Sequence, residues 1–167
     1  MKDRTDETMD QQDPVWVHRP LLSTRPVLEW LHQAGVRKVM PLDQLHLTQA
    51  TVRTPVSWKG LTLREDELVI PAGLKTVQIF AYTIKALTFG HPAVKERHEE
   101  LLGIFPQMDH PILRPHVSLY KGGRMPRGDP YTGELVFGPE VAEVFDANNT
   151  QGIKHVQVGD LLGINQK

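Results

Sequence analysis

Two short stretches of this sequence share one pattern: Leu45-His46-Leu47-Thr48 and His116-Val117-Ser118-Leu119-Tyr120. In each, a histidine is followed two positions later by a hydroxyl residue, within the apolar alternation that is typical of a β-strand. Side chains at positions i and i+2 of a strand point to the same face. Each stretch therefore predicts a strand that carries one imidazole and one hydroxyl side by side.

The elements predicted around these strands follow the same order in both halves of the chain. A strand at Val15–His18 precedes a helix that starts near Ser23 and ends at Gly35. A second helix starts at Pro92 and ends at Gly103, ahead of the second histidine strand. We therefore expect an α+β fold of two antiparallel-sheet lobes with pseudo-twofold symmetry, in which the histidine strands face each other across a central cleft.

The predicted boundaries leave one bilobal domain at residues 14–146. A polar, flexible tail is expected at residues 1–13 and a C-terminal extension at residues 147–167. Pro55 is expected to end the first histidine strand because proline cannot donate to a strand ladder. Leu61–Leu63 is expected to form a further short strand.

The composition argues against several classes of partner and binding site. The chain has 167 residues, with 19 basic and 20 acidic side chains. It therefore lacks the overall positive charge that would indicate binding to a long nucleic acid. There is no cysteine, which excludes disulfides and thiolate zinc sites and agrees with a reducing cytoplasm. No apolar run has the length of a membrane span. We expect a cytoplasmic monomer without a membrane partner.

The paired residues have the chemistry that phosphodiester cleavage needs. Because histidine titrates near neutrality, one imidazole can take a proton while the other gives one. The hydroxyls of Thr48 and Ser118 can donate hydrogen bonds to phosphate oxygens. A ribose 2′-OH beside the phosphate would act as the internal nucleophile and leave a 2′,3′-cyclic phosphate. This mechanism needs no cofactor.

A metal site is not expected. His91, His98 and His110 are close in sequence, but they do not form a His-Glu-x-x-His motif. No carboxylate lies at a spacing that indicates a ligand set. His98 falls on a charged helix face and is expected to be solvated.

The paired motifs His46-x-Thr48 and His116-x-Ser118 resemble those of the two-histidine (2H) phosphoesterase superfamily. One branch of it, the phage anti-CBASS nucleases, is similar over further segments. These are Val17–Leu22, Gly35–Trp58, Arg97–Glu99, Arg114–Leu119 and Pro130–Glu140. The resemblance implies a bilobal fold and a metal-independent phosphodiesterase that hydrolyses 3′,5′ bonds of cyclic di- and trinucleotide immune signals. If the chain is phage-encoded, it would act in the host cytoplasm. His46, Thr48, His116 and Ser118 would be the catalytic residues.

Four further residues are candidates for binding the substrate. Tyr120 follows Ser118 by two positions, so a regular strand would place it on the histidine face. Trp58 lies in a Ser-Trp-Lys-Gly turn, where an exposed ring would offer a platform for a base. Lys121, together with Arg124 and Arg127, would attract a polyanion.

The fourth candidate is Glu143, which would orient a histidine or read a base edge. Glu140, close by in the sequence, is expected to be a surface charge. Core packing is the favoured role for two other strand aromatics, Trp16 and Tyr82.

Two alternative functions remain open. The first is an RNA 2′,3′-cyclic phosphodiesterase or 2′-5′ RNA ligase-like enzyme of the same superfamily. The second is a non-catalytic module that sequesters a cyclic nucleotide. Activity against each substrate class would separate them.

Overall fold

The computed structural model describes residues 12–145 and 154–164. Its helices are α1 (Thr24–Gln33), α2 (Pro92–Ile104) and the short α3 (Val158–Leu162), and a 3₁₀ turn spans Leu42–Gln44. Its strands are β1 (Gln12–Pro20), β2 (Lys38–Val39), β3 (His46–Ser57), β4 (Leu68–Ile70), β5 (Thr76–Phe80), β6 (Ile84–Thr88), β7 (His116–Lys121), β8 (Leu135–Phe137), β9 (Val141–Val144) and β10 (Val156–Gln157).

Six strands form the central sheet in the order β5-β6-β7-β3-β1-β9, and each neighbouring pair is antiparallel. Two-stranded antiparallel sheets, β2 with β10 and β4 with β8, lie beside it. The predicted α+β class with antiparallel sheets is confirmed. None of the helices in the described part of the chain combines the length and apolarity that crossing a membrane requires.

One face of the central sheet carries the core. Leu47 of β3 and Val117 of β7 are buried in the larger apolar cluster, together with the face of α1 that includes Leu31. A second cluster places Phe105, at the end of α2, against the β1 residue Val17 and its strand neighbours. Because both helices cover the same face, side chains that alternate with Leu47 and Val117 lie on the uncovered face.

The pairing of β1 with β3 is interrupted twice. Val17 pairs with Ala50 and His18 with Thr48, so Gln49 is the extra residue of a bulge. The register shifts again between Asp13 and Val15, opposite the segment of β3 that contains Pro55. Proline is tolerated in such an irregularity, and β3 continues to Ser57 instead of ending at Pro55 as predicted.

Two further predictions of local structure are wrong. Gly103 lies inside α2, which continues to Ile104 because Phe105 is anchored in the core directly after it. Leu61–Leu63 has no strand partner, although Leu61 itself is buried. Ser23 is at the N-cap of α1, where the helix was expected to begin, and its hydroxyl accepts from the Val136 backbone N–H.

Both predicted terminal segments lie partly outside the described residues. Residues 1–11 of the expected N-terminal tail lie outside the described residues. Its last two residues belong to β1, which begins at Gln12. Of the expected C-terminal extension, residues 154–164 are described. They supply β10, which pairs with β2, and Val158, which is fully buried in the larger core cluster.

Candidate functional site

The two histidine strands are direct neighbours in the central sheet. Leu47 of β3 is paired with Val117 of β7 in antiparallel register. In this register His46 is opposite Ser118, and Thr48 is opposite His116. The four side chains alternate with the buried Leu47 and Val117, so all four lie on the uncovered face. The predicted convergence of the two motifs therefore arises within one sheet, by pairing of the strands themselves.

Aromatic rings from β1 surround His46. The Trp16 ring stacks on His18 at 3.8 Å between centroids, and it meets His46 edge-on at 4.8 Å. The His18 and His46 centroids are 5.2 Å apart. Trp16 and His18 share the face of the histidine strands because His18 is directly opposite Thr48 in the β1–β3 pairing. The packing fixes the plane of the His46 imidazole.

The Thr48 hydroxyl is oriented by Trp16. The indole Nε1–H of Trp16 donates to Thr48 Oγ1 at 3.0 Å. Indole nitrogen is a donor only, so the threonine oxygen must be the acceptor. The hydroxyl hydrogen of Thr48 then remains available to donate to another acceptor, such as a phosphate oxygen.

His116 is held by its own loop and by β5. Its Nδ1 lies 2.6 Å from the backbone carbonyl oxygen of Arg114, which accepts the hydrogen of the Nδ1–H tautomer. The ring stacks on Phe80 at 4.1 Å, and the Arg114 guanidinium covers Phe80 at 4.2 Å from its centroid. The contact with the carbonyl leaves Nε2 as the ring nitrogen that is available for proton transfer.

Burial disfavours the protonated form of the site histidines. It is the main cause that lowers the pKa of His46 to about 4, and the positive charges of His18 and His116 lower it further. Burial also lowers the pKa of His116, while the hydrogen bond to the Arg114 carbonyl acts in the opposite direction. Without a ligand, His46 is therefore neutral at pH 7.

This pKa depression makes the stability of the fold depend on pH. His46 has an ordinary pKa of 6.5 and a folded pKa of about 4, so the unfolded chain binds its proton first. The stabilisation is complete above about pH 6.5 and is lost as the pH falls towards 4. As the pH is lowered through this range, we expect the free energy of unfolding to decrease. One such group contributes up to about 1.4 kcal/mol per pH unit.

Urea unfolding at fixed pH values between 7 and 4.5 measures that slope. The His46→Asn variant, which cannot titrate there, is expected to show a shallower pH dependence than the unsubstituted protein. Parallel slopes for the two proteins would contradict the assigned pKa depression.

An open cavity of about 420 Å³ adjoins His116 at the edge of the sheet. Its walls include Phe80 and Arg114, the two residues that enclose His116, and also Thr88 of β6, which is paired with His116. Among the residues that the structure describes, no group of three or more histidine, cysteine, aspartate or glutamate side chains is placed to hold a metal ion.

Comparison with known proteins identifies the family. A family model described as "Anti-CBASS protein Acb1" matches residues 13–152. The chain belongs to the anti-CBASS Acb1 family. Two curated Acb1 proteins are similar to it. The one from Caulobacter sp. (strain RHG1) is 32% identical over 142 residues, and the one from Sphingomonas paeninsulae is 29% identical over 139.

The matched region is a part of these Acb1 relatives. The match to the Caulobacter protein covers 80% of this chain and 23% of that protein. The match to the Sphingomonas protein covers 77% of this chain and 22% of that protein. The chain therefore spans less than a quarter of the length of either curated protein.

Solved structures of Escherichia coli LigT have the same fold as this Acb1 family member. The apo form matches with a TM-score of 0.58 at 13% identity, covering 89% of this chain and 95% of LigT. The complex of LigT with 3′-AMP matches with a TM-score of 0.54 at 14% identity and the same coverage. The match to LigT shows that the fold is shared, and the family model confirms the predicted anti-CBASS branch.

The four substrate-binding candidates lie in different places. Glu143 of β9 reaches the histidine face, where its Oε2 is 3.6 Å from His18 Nε2. Tyr120 does not continue the alternation, because the register between β6 and β7 shifts between Ser118 and Tyr120. Its ring is buried in the core and its hydroxyl donates to the Arg124 carbonyl at 2.6 Å. Burial raises the pKa of Tyr120 to about 12.

The other two candidates lie away from the histidine quartet. Trp58 is 3% exposed, within the second core cluster, and its Nε1–H donates to the Asp13 carbonyl. The expected exposed platform is therefore wrong, since the turn folds the indole inward. Lys121 is exposed at the end of β7 and lines a separate cavity with Arg124.

Two residues of the site, Trp16 and His18, were not predicted. Trp16 was assigned to the core, yet it is only partly buried and lies on the histidine face. A regular alternation along Val15-Trp16-Val17-His18 places both side chains on one face, which is the signal that would have found them.

Three other assignments are also corrected. Tyr82 is 98% exposed at a turn with φ of 68°, not in the core. His98 is buried, with Nε2 2.8 Å from the Pro111 carbonyl oxygen, and not solvated. Glu140 is buried in an ion pair with Arg97 instead of being a surface charge.

Proposed function

We propose that this chain is a phosphodiesterase that opens the 3′,5′ bonds of cyclic di- and trinucleotide signals and thereby counters CBASS immunity. The observation that carries the proposal is the pairing of Leu47 with Val117, which brings two imidazoles and two hydroxyls onto one face. Membership of the anti-CBASS family supports the substrate class.

The proposed reaction is an internal transfer. One histidine removes the proton of the ribose 2′-OH, whose oxygen forms a bond to phosphorus. The bond from phosphorus to the 5′-oxygen breaks, and the second histidine gives its proton to that oxygen. The products are a 2′,3′-cyclic phosphate and a free 5′-OH, so protons and bonds balance without a metal or cofactor.

We assign the base role to His46 and the acid role to His116. A base must be unprotonated at rest, and the pKa of about 4 keeps His46 neutral at pH 7. An acid must hold a proton when the substrate is bound. The Arg114 carbonyl favours the protonated form of His116, and the negative charge of a bound phosphate raises the pKa of an adjacent imidazole.

Thr48 and Ser118 are assigned to the phosphate. The Thr48 hydroxyl accepts from Trp16 and so presents its hydrogen outward, as a donor to a non-bridging oxygen. Ser118 is opposite His46 in the strand register, which puts its hydroxyl beside the proposed base. Donors that are fixed before the substrate binds stabilise the charge that grows on the phosphate in the transition state.

The charge distribution supports a small substrate. The whole chain has 19 basic and 20 acidic residues, whereas binding of a long RNA relies on a basic track. The face around the quartet is instead aromatic, with Trp16 beside His46 and Phe80 beside His116. Such rings are suited to stacking on individual bases.

The test is a panel of substrates in the presence of EDTA: cyclic dinucleotides, cyclic trinucleotides and an RNA that ends in a 2′,3′-cyclic phosphate. We expect the cyclic oligonucleotides to be converted to linear products, followed by chromatography and mass spectrometry. Turnover of the RNA end alone would make the chain an RNA 2′,3′-cyclic phosphodiesterase. Tight binding without turnover would make it a sequestering module.

A further inference from the structure

A second cavity lies apart from the histidine quartet. It has a volume of about 430 Å³ and is formed where three parts of the chain meet: the end of α1, the loop after β7, and His155 before β10. None of the four quartet residues lines it. Its volume is in the range of about 300–1,000 Å³ that small-molecule sites occupy.

The lining of this cavity is strongly basic. Five of its side chains are cations, and within the described part of the chain no carboxylate lines it. None of the five forms an ion pair with a described carboxylate. The five are Arg37, Lys38, Lys121, Arg124 and Arg127. In a chain with a net charge of −1, such a concentration of positive charge indicates an anionic ligand.

The loop that carries three of these cations is held in place. The hydroxyl of Tyr120 donates to the Arg124 carbonyl at 2.6 Å, and the Arg127 backbone N–H donates to the Ala34 carbonyl at 3.0 Å. The Lys121 backbone N–H donates to His155 Nε2 at 3.1 Å. Gly122 and Gly123, both in the left-handed region, make the turn between these anchors. The cations are therefore presented from an ordered loop.

We propose that the cavity between the end of α1 and the loop after β7 is a second ligand site, which binds the adjacent phosphates of a free nucleotide. Arg37, from the segment after α1, and Arg124, from the loop after β7, both line the cavity, and guanidinium groups bind phosphate oxygens in a bidentate manner. Val36 and Met125 provide apolar surface for the rest of the ligand. The site does not depend on the catalytic proposal.

Isothermal titration calorimetry with adenosine 5′-diphosphate and with pyrophosphate tests this site. The protein used is the His46→Ala/His116→Ala variant, so that the two imidazoles of the quartet make no contribution. We expect saturable binding to one site that weakens as salt is raised. Equal affinity for both probes would show that the phosphates alone are recognised.

Charge-reversal variants test whether the probes bind in this cavity. Arg37→Glu and Arg124→Glu are each expected to weaken binding by about tenfold or more, because each replaces a phosphate donor with a repelling charge. Arg25→Glu, an exposed arginine at the other end of α1, is the matched control and should have little effect. If a reversed charge impairs folding, Arg124→Ala on the exposed loop is the substitute. Absence of saturable binding, or an equal loss from Arg25→Glu, would overturn the proposal.

Discussion

Replacing His46 or His116 with alanine is expected to lower the turnover of a cyclic dinucleotide by about 100- to 10,000-fold in each case. Each substitution removes one proton-transfer group, whereas the β-ladder that holds the strand involves the backbone and persists. The rate of product formation under single-turnover conditions measures the loss. His32→Ala, an exposed histidine on α1, is the control and should retain full activity.

The two variants are expected to differ on an activated substrate. A ribonucleoside 3′-(4-nitrophenyl phosphate) has a leaving group that departs without a proton. If His116 is the acid, His116→Ala should recover most of its rate on this substrate, whereas His46→Ala should remain slow. The reverse pattern would exchange the two roles. A loss of only a few-fold from both variants on the cyclic dinucleotide would mean that the quartet is not the catalytic centre.

The second large effect is a loss of stability when Glu140 is replaced. Its carboxylate is fully buried and accepts from Arg97 twice, at 2.9 Å from both Nε and Nη2. It also accepts from the Arg64 backbone N–H at 2.8 Å. Glu140→Gln removes the buried counter-charge of the nearly buried guanidinium. We expect a loss of about 3–5 kcal/mol in the free energy of unfolding.

Urea denaturation measures that loss, and the same arginine supplies a matched control. Glu100 also contacts Arg97, at 3.3 Å, but its side chain is 45% exposed. Glu100→Gln is therefore expected to cost less than about 1 kcal/mol. If the two variants were equally stable, the burial of the Arg97–Glu140 pair would not be the source of its effect.

The histidine strands could be predicted from the sequence because their alternation is regular. His46-Leu47-Thr48 and His116-Val117-Ser118 each place one apolar residue in the core and two polar residues on the other face. The period of two alone determines this arrangement. Which strands are neighbours does not follow from the period, so the direct pairing of β3 with β7 needed the structure.

Other parts of the site depended on local irregularities. Tyr120 was expected on the histidine face, but the register shift between β6 and β7 turns it into the core. Trp58 was expected to be exposed because of its turn sequence, which does not reveal that its indole can donate to the distant Asp13 carbonyl. Such contacts depend on tertiary packing, which a short sequence window does not contain.

The buried ion pair of Arg97 and Glu140 could not be predicted from the sequence either. Arg97 and Glu140 are far apart in the chain. Arg97 lies among the charged residues of α2, whereas Glu140 lies in a largely apolar stretch, residues 135–145. Charged side chains are mostly exposed in folded proteins, which is why a surface position was expected for Glu140. Only the fold brings them together, where two hydrogen bonds and an opposite charge make burial tolerable.

The direct pairing of β3 with β7 implies an unequal tolerance to genetic change. Because neighbouring residues of a strand point to opposite faces, insertion or deletion of one codon between Leu45 and Thr48 would turn an imidazole towards the core. The same change in the exposed loop between β7 and β8 leaves the register intact. Natural variation in the family should therefore include loops of many lengths, but histidine strands of constant spacing.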